Sequence, residues 1–392
     1  MPALSSSARA TRSSNRVAGN RGLHLHQTQM PLELPGEAAA TAAITVGLFF
    51  GGRSAEHAVS IRSAATLHAA LRRAGYWVVP IGIERSGTWR CMPTAGNAFP
   101  AGVDPNACAV TLAPNGAGQL LACDALQRTV DLPRIDVAFP ALHGPFGEDG
   151  RLQGMFETCG VPCVGADVLA GAVTMDKEVT KRLLMQAGLP VVPYRLHRRG
   201  EQLPTWQAMS DSLGPRLYVK PASLGSSIGT APADDEASFA RALAGARPHG
   251  DKVLIERRVV GRELECGVMD SEDGPIASVI GEIRAGTADA FYDYDAKYAA
   301  DSDARVDVPA RLDAETTRRI RAMAVDAFKV LGCRDLARVD FFLGAQGELF
   351  VNEVNTLPGF TSISLFPRMF EATGIAIEDQ VRRLVDLALA RA

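Results

Sequence analysis

Residues 349–364 read LFVNEVNTLPGFTSIS: a strand that starts apolar, turns polar, and then breaks at Leu-Pro-Gly. Side chains alternate across a strand, so Leu349, Val351, Glu353 and Asn355 are expected on one face. Phe350, Asn352 and Val354 are expected on the other. The preceding LARVDFFLG, residues 336–344, reads as a second strand in which Arg338, Asp340 and Phe342 share a face. Gly344-Ala345-Gln346-Gly347 joins the two as a hairpin. Pairing across that turn sets Asp340 diagonal to Glu353, roughly 7–8 Å apart at Cα. Asp340, Glu353 and Asn355 then converge beside Arg338. Acids bunched on one face repel unless a cation sits between them. An oxygen-only set favours a hard ion, Mg²⁺ or Mn²⁺, over zinc. A solvated face with an ordinary Arg338/Asp340 pair accounts for the same residues, and the stretch alone leaves both readings open.

The whole chain narrows the setting. Its 392 residues allow two or three domains, and 47% hydrophobic content is ample for real cores. A net charge of −3 gives no basic field to attract nucleic acid. No apolar run is long enough to span a bilayer. The seven cysteines (91, 108, 123, 159, 163, 266 and 333) are scattered and complete no zinc pattern, which points to reduced thiols in a cytosol. Residues 1–42 are rich in Ser and Arg, without an acid before Glu33 or an apolar segment of a secretory signal. They read as a disordered tail, with a transit peptide or an early start codon as alternatives.

Within the remainder, ITVGLFF (44–50), the loop GGRSAEHAVS, a helix to about Arg73 and YWVVPIGI make an α/β opening. It is not the dinucleotide fingerprint, since the spaced third glycine is missing. DVAFPALHG (136–144) is another strand, leading into HGPFGEDG and a helix from about Arg151 to Thr158. Strand ends of this kind place ligands in α/β proteins, so the loops at 51–57 and 143–150 are expected on one edge. Residues 91–134 carry too many turn signals for a clear reading. Further on, Thr174 is the expected cap of a helix running to Gly188. VLIERRVVGRELECGVM (253–269) reads as two strands with a turn at Gly261, and a long helix covers about 313–331, closed by Gly332. The fold class is α/β, with two α+β lobes after a first α/β domain.

The chemistry gathers in the second half. Lys220-Pro-Ala-Ser-Leu-Gly-Ser-Ser-Ile-Gly follows a strand, and small residues there let backbone N–H groups approach an anion. It is not a Walker A loop, whose lysine follows the glycines. Lys177, Lys297 and Glu256 taken singly read as surface residues. Taken together, lysines, Arg338, a Gly/Ser loop and a divalent-metal face suit a nucleoside triphosphate.

GGRSAEHAVS, LHGPFGEDG, MDK, KPASLGSSIG, LIE…GRE, FYDYDAKY, RVD and NEVNTLPGFTSIS occur in an order that resembles the D-alanine–D-alanine ligases of the ATP-grasp superfamily. The resemblance runs from about 44 to 388. It implies a three-domain ATP-grasp architecture: an N-terminal α/β domain over 43–165, a central lobe over 166–256 and a C-terminal lobe over 257–392, the two lobes clamping ATP. It also implies roles. Asp340, Glu353 and Asn355 match ligands of two Mg²⁺ or Mn²⁺ ions. Lys177 and Lys220 match the grip on ATP phosphates, Glu256 and Val259 the adenine edge, and Glu263 the ribose. Lys297 and Arg338 match the cations at the transferred phosphate. Glu56 matches the acid for the first D-alanine's ammonium, with Ser226 and Tyr298 as its partners in lid closure. His143, Ser364 and Leu365 match the second substrate's pocket, and Gly359 the oxyanion donor. The implied activity joins two D-alanines through a D-alanyl phosphate for peptidoglycan precursor synthesis, in a cytoplasmic enzyme that is a homodimer and binds neither nucleic acid nor membrane. Tyr298 favours an amine as second substrate, and D-serine is the alternative to D-alanine. Loops 222–228 and about 284–300 are the expected lids. Departures from the family pattern fall at Ser223-Leu224 and Arg257-Arg258. A nucleotide-binding module without catalysis is disfavoured, because the full metal and phosphate set is present.

Overall fold

The computed structural model describes residues 44–92, 98–123, 132–225, 228–284 and 305–391. They form three sheets that follow one another along the chain.

The first sheet has the order β5-β4-β3-β2-β1-β6. Its strands are β1 (Thr45–Gly51), β2 (Trp77–Ile83), β3 (Trp89–Cys91), β4 (Cys108–Leu112), β5 (Leu120–Cys123) and β6 (Val137–Pro140). β1 runs parallel to both β2 and β6, while β3, β4 and β5 extend the sheet as an antiparallel meander. The meander is the part that turn signals obscured. Helix α1 (His57–Arg73) repeats apolar residues at Val59, Ala64, Leu67 and Leu71 and buries that stripe on the sheet. Gly75, at φ +95°, ends it. Helix α2 (Arg151–Thr158) covers the other face with Leu152 and Phe156. β1 is therefore buried on both sides, Val46, Leu48 and Phe50 facing one cluster and Phe49 the other.

Two short helices follow, α3 (Val168–Met175) and α4 (Lys177–Gln186). Thr174 lies inside α3. The cap of α4 is Asp176, whose carboxylate accepts from the N–H groups of Glu178 and Val179. The second sheet, β7-β10-β8-β9, contains β7 (Tyr194–Arg198), β8 (Leu217–Pro221), β9 (Ala231–Ala233) and β10 (Lys252–Arg257). Helices α5 (Trp206–Leu213) and α6 (Glu236–Ala246) pack on it. The third sheet, β13-β12-β11-β14-β15, is wholly antiparallel. It holds β11 (Gly261–Met269), β12 (Ile276–Arg284), β13 (Arg305–Asp307), β14 (Leu336–Gly344) and β15 (Leu349–Asn355). The strands flanking Gly261 thus belong to different sheets, and the segment between them crosses from one sheet to the next. Helix α7 (Ala314–Val330), capped by Asp313 and stopped by Gly332, packs Ile320, Ala324, Ala327 and Phe328 onto the third sheet.

Helices α8 (Leu365–Ala372) and α9 (Ile377–Leu389) return to the start of the chain. Phe366, Phe370, Val381, Leu384 and Val385 share one core with Val46, Leu48 and Phe50. A polar latch closes the same junction. Asp335, fully buried, accepts from Gly165 N at 2.7 Å and from Arg391 at 2.5 and 2.7 Å, while Arg391 also donates to the Cys163 carbonyl at 3.1 Å. Removing one partner of a buried pair costs about 3–5 kcal/mol. Arg391 is 32% exposed, which moves the expectation to the bottom of that range or just below it. Arg391→Ala should therefore destabilise by about 2–3 kcal/mol, read as a lower urea midpoint at unchanged slope. Among the described residues no helix is long and apolar enough to cross a membrane.

Candidate active site

The β14–β15 hairpin carries the acidic face. Arg338 pairs directly with Asn355 and Asp340 with Glu353, so the two acids are opposed rather than diagonal. The register shifts between Asp340 and Phe341: Phe341 faces Val351, leaving Asn352 as an extra residue. Such a bulge resets the alternation by one position. Leu349, Val351 and Val354 consequently enter the core. Glu353 and Asn355 lie on the opposite side from Leu349 and Val351, contrary to simple alternation.

The face is dense with charge. Arg338 donates to both carboxylate oxygens of Asp340 at 2.7 Å and lies 3.0 Å from Glu265. Asn355 Nδ2 donates to Asp340 at 3.0 Å, so its amide oxygen is the atom not engaged there. Lys177, the first residue of α4, reaches Glu353 at 3.2 Å and the Leu224 carbonyl at 2.7 Å. Lys220, on β8, meets Glu256 at 2.9 Å and donates to Asn352 at 3.2 Å. Lys177 and Lys220 thus tie the acidic face to the strand and loop 217–225. Burial by itself would raise the Glu256 carboxyl, but Lys181 and Lys220 more than offset it and hold the group below the usual carboxylate range. Val259 lies in the crossing segment after β10, and Glu263 is exposed on β11.

Loops from separate elements meet at Glu56, just before α1. Ser54 Oγ donates to the His143 carbonyl at 2.6 Å, which joins the ends of β1 and β6 at one edge as expected. A Cβ on Gly144 would lie 2.6 Å from Glu56 Oε2, and one on Gly225 3.2 Å from it. Glycine at both positions is what lets the Gly/Ser loop and the 143–150 loop close on this carboxylate. His143 is buried and neutral: desolvation lowers its pKa and outweighs the Glu56 charge that raises it. Its Nδ1 is 3.1 Å from the Leu357 carbonyl and must donate, so Nε2 accepts from Ser63 Oγ at 3.0 Å. Ser63 Oγ in turn accepts from Phe360 N at 3.2 Å. His143 and Ser63 therefore hold the turn that carries Gly359. A Cβ on Gly359 would meet Ser364 Oγ at 2.9 Å, and that hydroxyl accepts from Thr361 N at 2.9 Å. Leu365 packs its side chain against Gly281, which leaves its backbone at the start of α8 as the part near the turn.

Ser226, Lys297 and Tyr298, and with them the expected lid over about 284–300 almost entirely, lie outside the described residues.

Several residues at the site were not singled out by sequence. Lys181 is 0% exposed and 2.9 Å from Glu256. It stands one helical turn after Lys177, a spacing that could have marked it. Ser63 sits on the buried face of α1. Glu148, inside LHGPFGEDG, accepts from Gly144 N at 2.8 Å, and desolvation followed by the Glu56 charge pushes it up to about 8. A carboxyl whose folded pKa is raised costs stability as pH climbs from its unfolded value, near 4.5, toward 8. Glu148→Gln should remove that slope. Its urea midpoint should exceed wild type at pH 8–9 and coincide with it below about pH 4.5.

Asp340, Glu353 and Asn355 suit a hard divalent ion. Such ions take one or two carboxylates and complete their shell with substrate phosphate oxygens. Among the described residues no group of three or more His, Cys, Asp or Glu is arranged to hold a metal, and this set has only two acids. It fits an ion that arrives with a phosphate.

Comparisons agree along the chain. Residues 45–166 match the family described as D-ala D-ala ligase N-terminus, and residues 183–386 match D-ala D-ala ligase C-terminus. The chain is 48% identical to the D-alanine–D-alanine ligase of Nocardia farcinica, over 90% of this chain and 98% of that one. It is 45% identical to D-alanine–D-alanine ligase A of Pseudomonas putida, over 88% and 97%. The D-alanine–D-alanine ligase structure from Coxiella burnetii superposes with a TM-score of 0.77 at 32% identity, covering 89% of this chain and 94% of that one. The VanG D-Ala:D-Ser ligase of Enterococcus faecalis gives 0.77 at 33%, covering 88% and 100%. With both halves matched and relatives this similar over nearly their whole length, the chain belongs to the D-alanine–D-alanine ligase family and has its ATP-grasp architecture.

Proposed function

We propose that this site joins two D-alanine molecules into D-alanyl-D-alanine at the expense of ATP, for peptidoglycan precursor assembly. The observation that carries the reading is Lys177, which bridges Glu353 on the acidic face and the Leu224 carbonyl in the Gly/Ser loop. That bridge spans the place where a triphosphate needs cations on one side and backbone donors on the other.

A carboxylate is a poor acyl donor. ATP first phosphorylates the carboxylate of one D-alanine, whose ammonium is held by Glu56. Lys177 and Lys220 bind the phosphates, with Lys297 beside them, and Arg338 meets the group in transfer. Glu256, Val259 and Glu263 receive the nucleoside, and Asp340, Glu353 and Asn355 would hold two Mg²⁺ or Mn²⁺ ions, which would supply neutralisation of phosphate charge. The second D-alanine lies near His143, with its carboxylate at Ser364 and Leu365. Its amine attacks the acyl phosphate, and phosphate leaves. The Gly359 N–H stabilises the oxyanion of the tetrahedral intermediate. Ser226 and Tyr298 close over the intermediate and exclude water. The lobes 166–256 and 257–392 clamp ATP beside the N-terminal α/β domain 43–165, in a cytoplasmic homodimer.

The test is phosphate release from ATP with D-alanine, D-serine, D-lactate and L-alanine, singly and in pairs, with products identified by mass. D-alanine alone should support full turnover and yield the dipeptide. Turnover that required D-serine would move the enzyme to the D-alanine–D-serine reading, the activity named for the VanG ligase. Turnover with no combination would overturn both.

A further inference from the structure

The loops 51–57 and 143–150, which meet at Glu56, are tied by a second contact on their solvent side. Arg53 stands three residues before Glu56 and is exposed. Its guanidinium carbon lies 4.4 Å from the centre of the Phe146 ring, and that of Arg151, at the start of α2, lies 4.8 Å from it. A guanidinium over an aromatic face is held by the ring quadrupole. Phe146 has φ +67°, in the left-handed region, where a bulky side chain is strained and glycine is not. Asp149 fixes that backbone: its carboxylate accepts from Phe146 N at 2.7 Å and pairs with Arg151. The ring itself is 42% exposed. Burial holds such a ring only in part, and the two arginines supply the rest.

We propose, building on the role of Glu56 in the ligase reading, that Phe146 is a positioning residue for the first D-alanine: through Arg53 it holds the loop of Glu56 against the loop of His143, and so sets the affinity for the ammonium that Glu56 receives. The stack joins the same two loops as the bond from Ser54 to the His143 carbonyl. Ser54 Oγ also accepts from Glu56 N at 3.2 Å and fixes the backbone there, while the ring closes the loops from outside. Loosening the stack lowers the fraction of molecules in which Glu56 stands ready, and the apparent dissociation constant rises in proportion. The phosphate lysines keep their contacts, which lie on other elements. The second substrate's pocket keeps its own support, since His143 is held by Ser63 of α1 and by the Leu357 carbonyl.

The experiment compares Phe146→Ala, Phe146→Gly, Phe146→Tyr and Arg53→Gln with the wild-type full-length chain. Initial rates over D-alanine and ATP give the kinetic constants, and hydrogen exchange follows peptides spanning 51–57 and 143–150. Phe146→Ala should raise the KM for the first D-alanine about five- to tenfold, with kcat and the KM values for ATP and the second D-alanine within about twofold of wild type. Phe146→Tyr keeps the ring and should restore the wild-type value. Phe146→Gly relieves the left-handed backbone yet should show the same rise as alanine, which a role in stability alone would not produce. Arg53→Gln should raise the same KM, and adding Phe146→Ala should raise it little further, because both remove one contact. Exchange in both peptides should quicken in Phe146→Ala.

An unchanged first KM in Phe146→Ala, an equal rise in every constant, or independent effects of the Arg53 and Phe146 substitutions would overturn the proposal. A wild type without D-alanine-dependent turnover would refute the ligase reading instead. Unchanged exchange in Phe146→Ala would then still overturn the tie between the loops, and faster exchange would support it.

Discussion

Glu353→Gln is expected to lower turnover by about two to four orders of magnitude, each tenfold step being about 1.4 kcal/mol of barrier. Glutamine keeps the shape of the side chain and the β14–β15 pairing. It removes one of the two carboxylate charges on the face where phosphate and a divalent ion would meet. The fold should respond far less than the chemistry. Glu353 is 23% exposed, and its partner Lys177 keeps the Leu224 carbonyl at 2.7 Å. The pair is partly buried, so the change in stability should fall between the exposed and the fully buried case, about 1–2 kcal/mol. Single-turnover phosphate release and urea unfolding, measured on one preparation, separate the two effects. Turnover within a few fold of wild type would remove Glu353 from the chemistry. A fall in the urea midpoint matching the loss of turnover would make it structural.

Glu256→Gln has the opposite profile. Glu256 is the counter-charge of Lys181, whose side chain is 0% exposed, and of Lys220 at 9%. Removing it leaves two buried ammonium groups without their carboxylate, a loss of about 3–5 kcal/mol. The pH dependence carries the signature. Burial lowers the Lys181 pKa from 10.5 and Glu256 opposes that fall, so the variant should lower it further. Over the range between that depressed value and 10.5 the unfolded chain binds the proton that the folded chain has lost. Stability of the variant should then rise with pH, more steeply than in the wild type. Glu256 itself sits below 4.5 in the folded state, which gives the wild type stability that is lost as pH falls through the folded value. The variant should lack that acid limb. Urea midpoints from about pH 2 to 10 would show both features. A variant as stable as wild type across that range would mean that Lys181 and Lys220 do not depend on Glu256.

Much of this arrangement could be read from residues in order. Helices α2 and α7 announced themselves by apolar spacing and by their ends, and Asp340, Glu353 and Asn355 by acids beside a turn. What escaped depends on single residues or distant partners. Asn352 is one residue too many for simple alternation, and no composition signal marks which residue of a strand will bulge. Lys181 looks like any helical lysine until Glu256 arrives from a strand about seventy-five positions later. Thr174 and Asp176 are both good caps, and the break between α3 and α4 selected the second. The strands of the 91–134 region are short and rich in turns, so their pairing is fixed by neighbours rather than by pattern.

Helices α8 and α9 share the core of Val46, Leu48 and Phe50. During synthesis the first strand leaves the ribosome long before its cover does. At about 5–20 residues per second, the interval between Phe50 and Leu389 is roughly 15–70 s. For that time the part of this face that α1 does not cover stays exposed near the start of the nascent chain. The first lobe can be completed only after translation has nearly ended, and a trigger-type chaperone or a slow collapse must shelter it meanwhile. Truncating the chain before Ile377 should therefore expose the beginning of the protein, not its end, to aggregation and proteolysis.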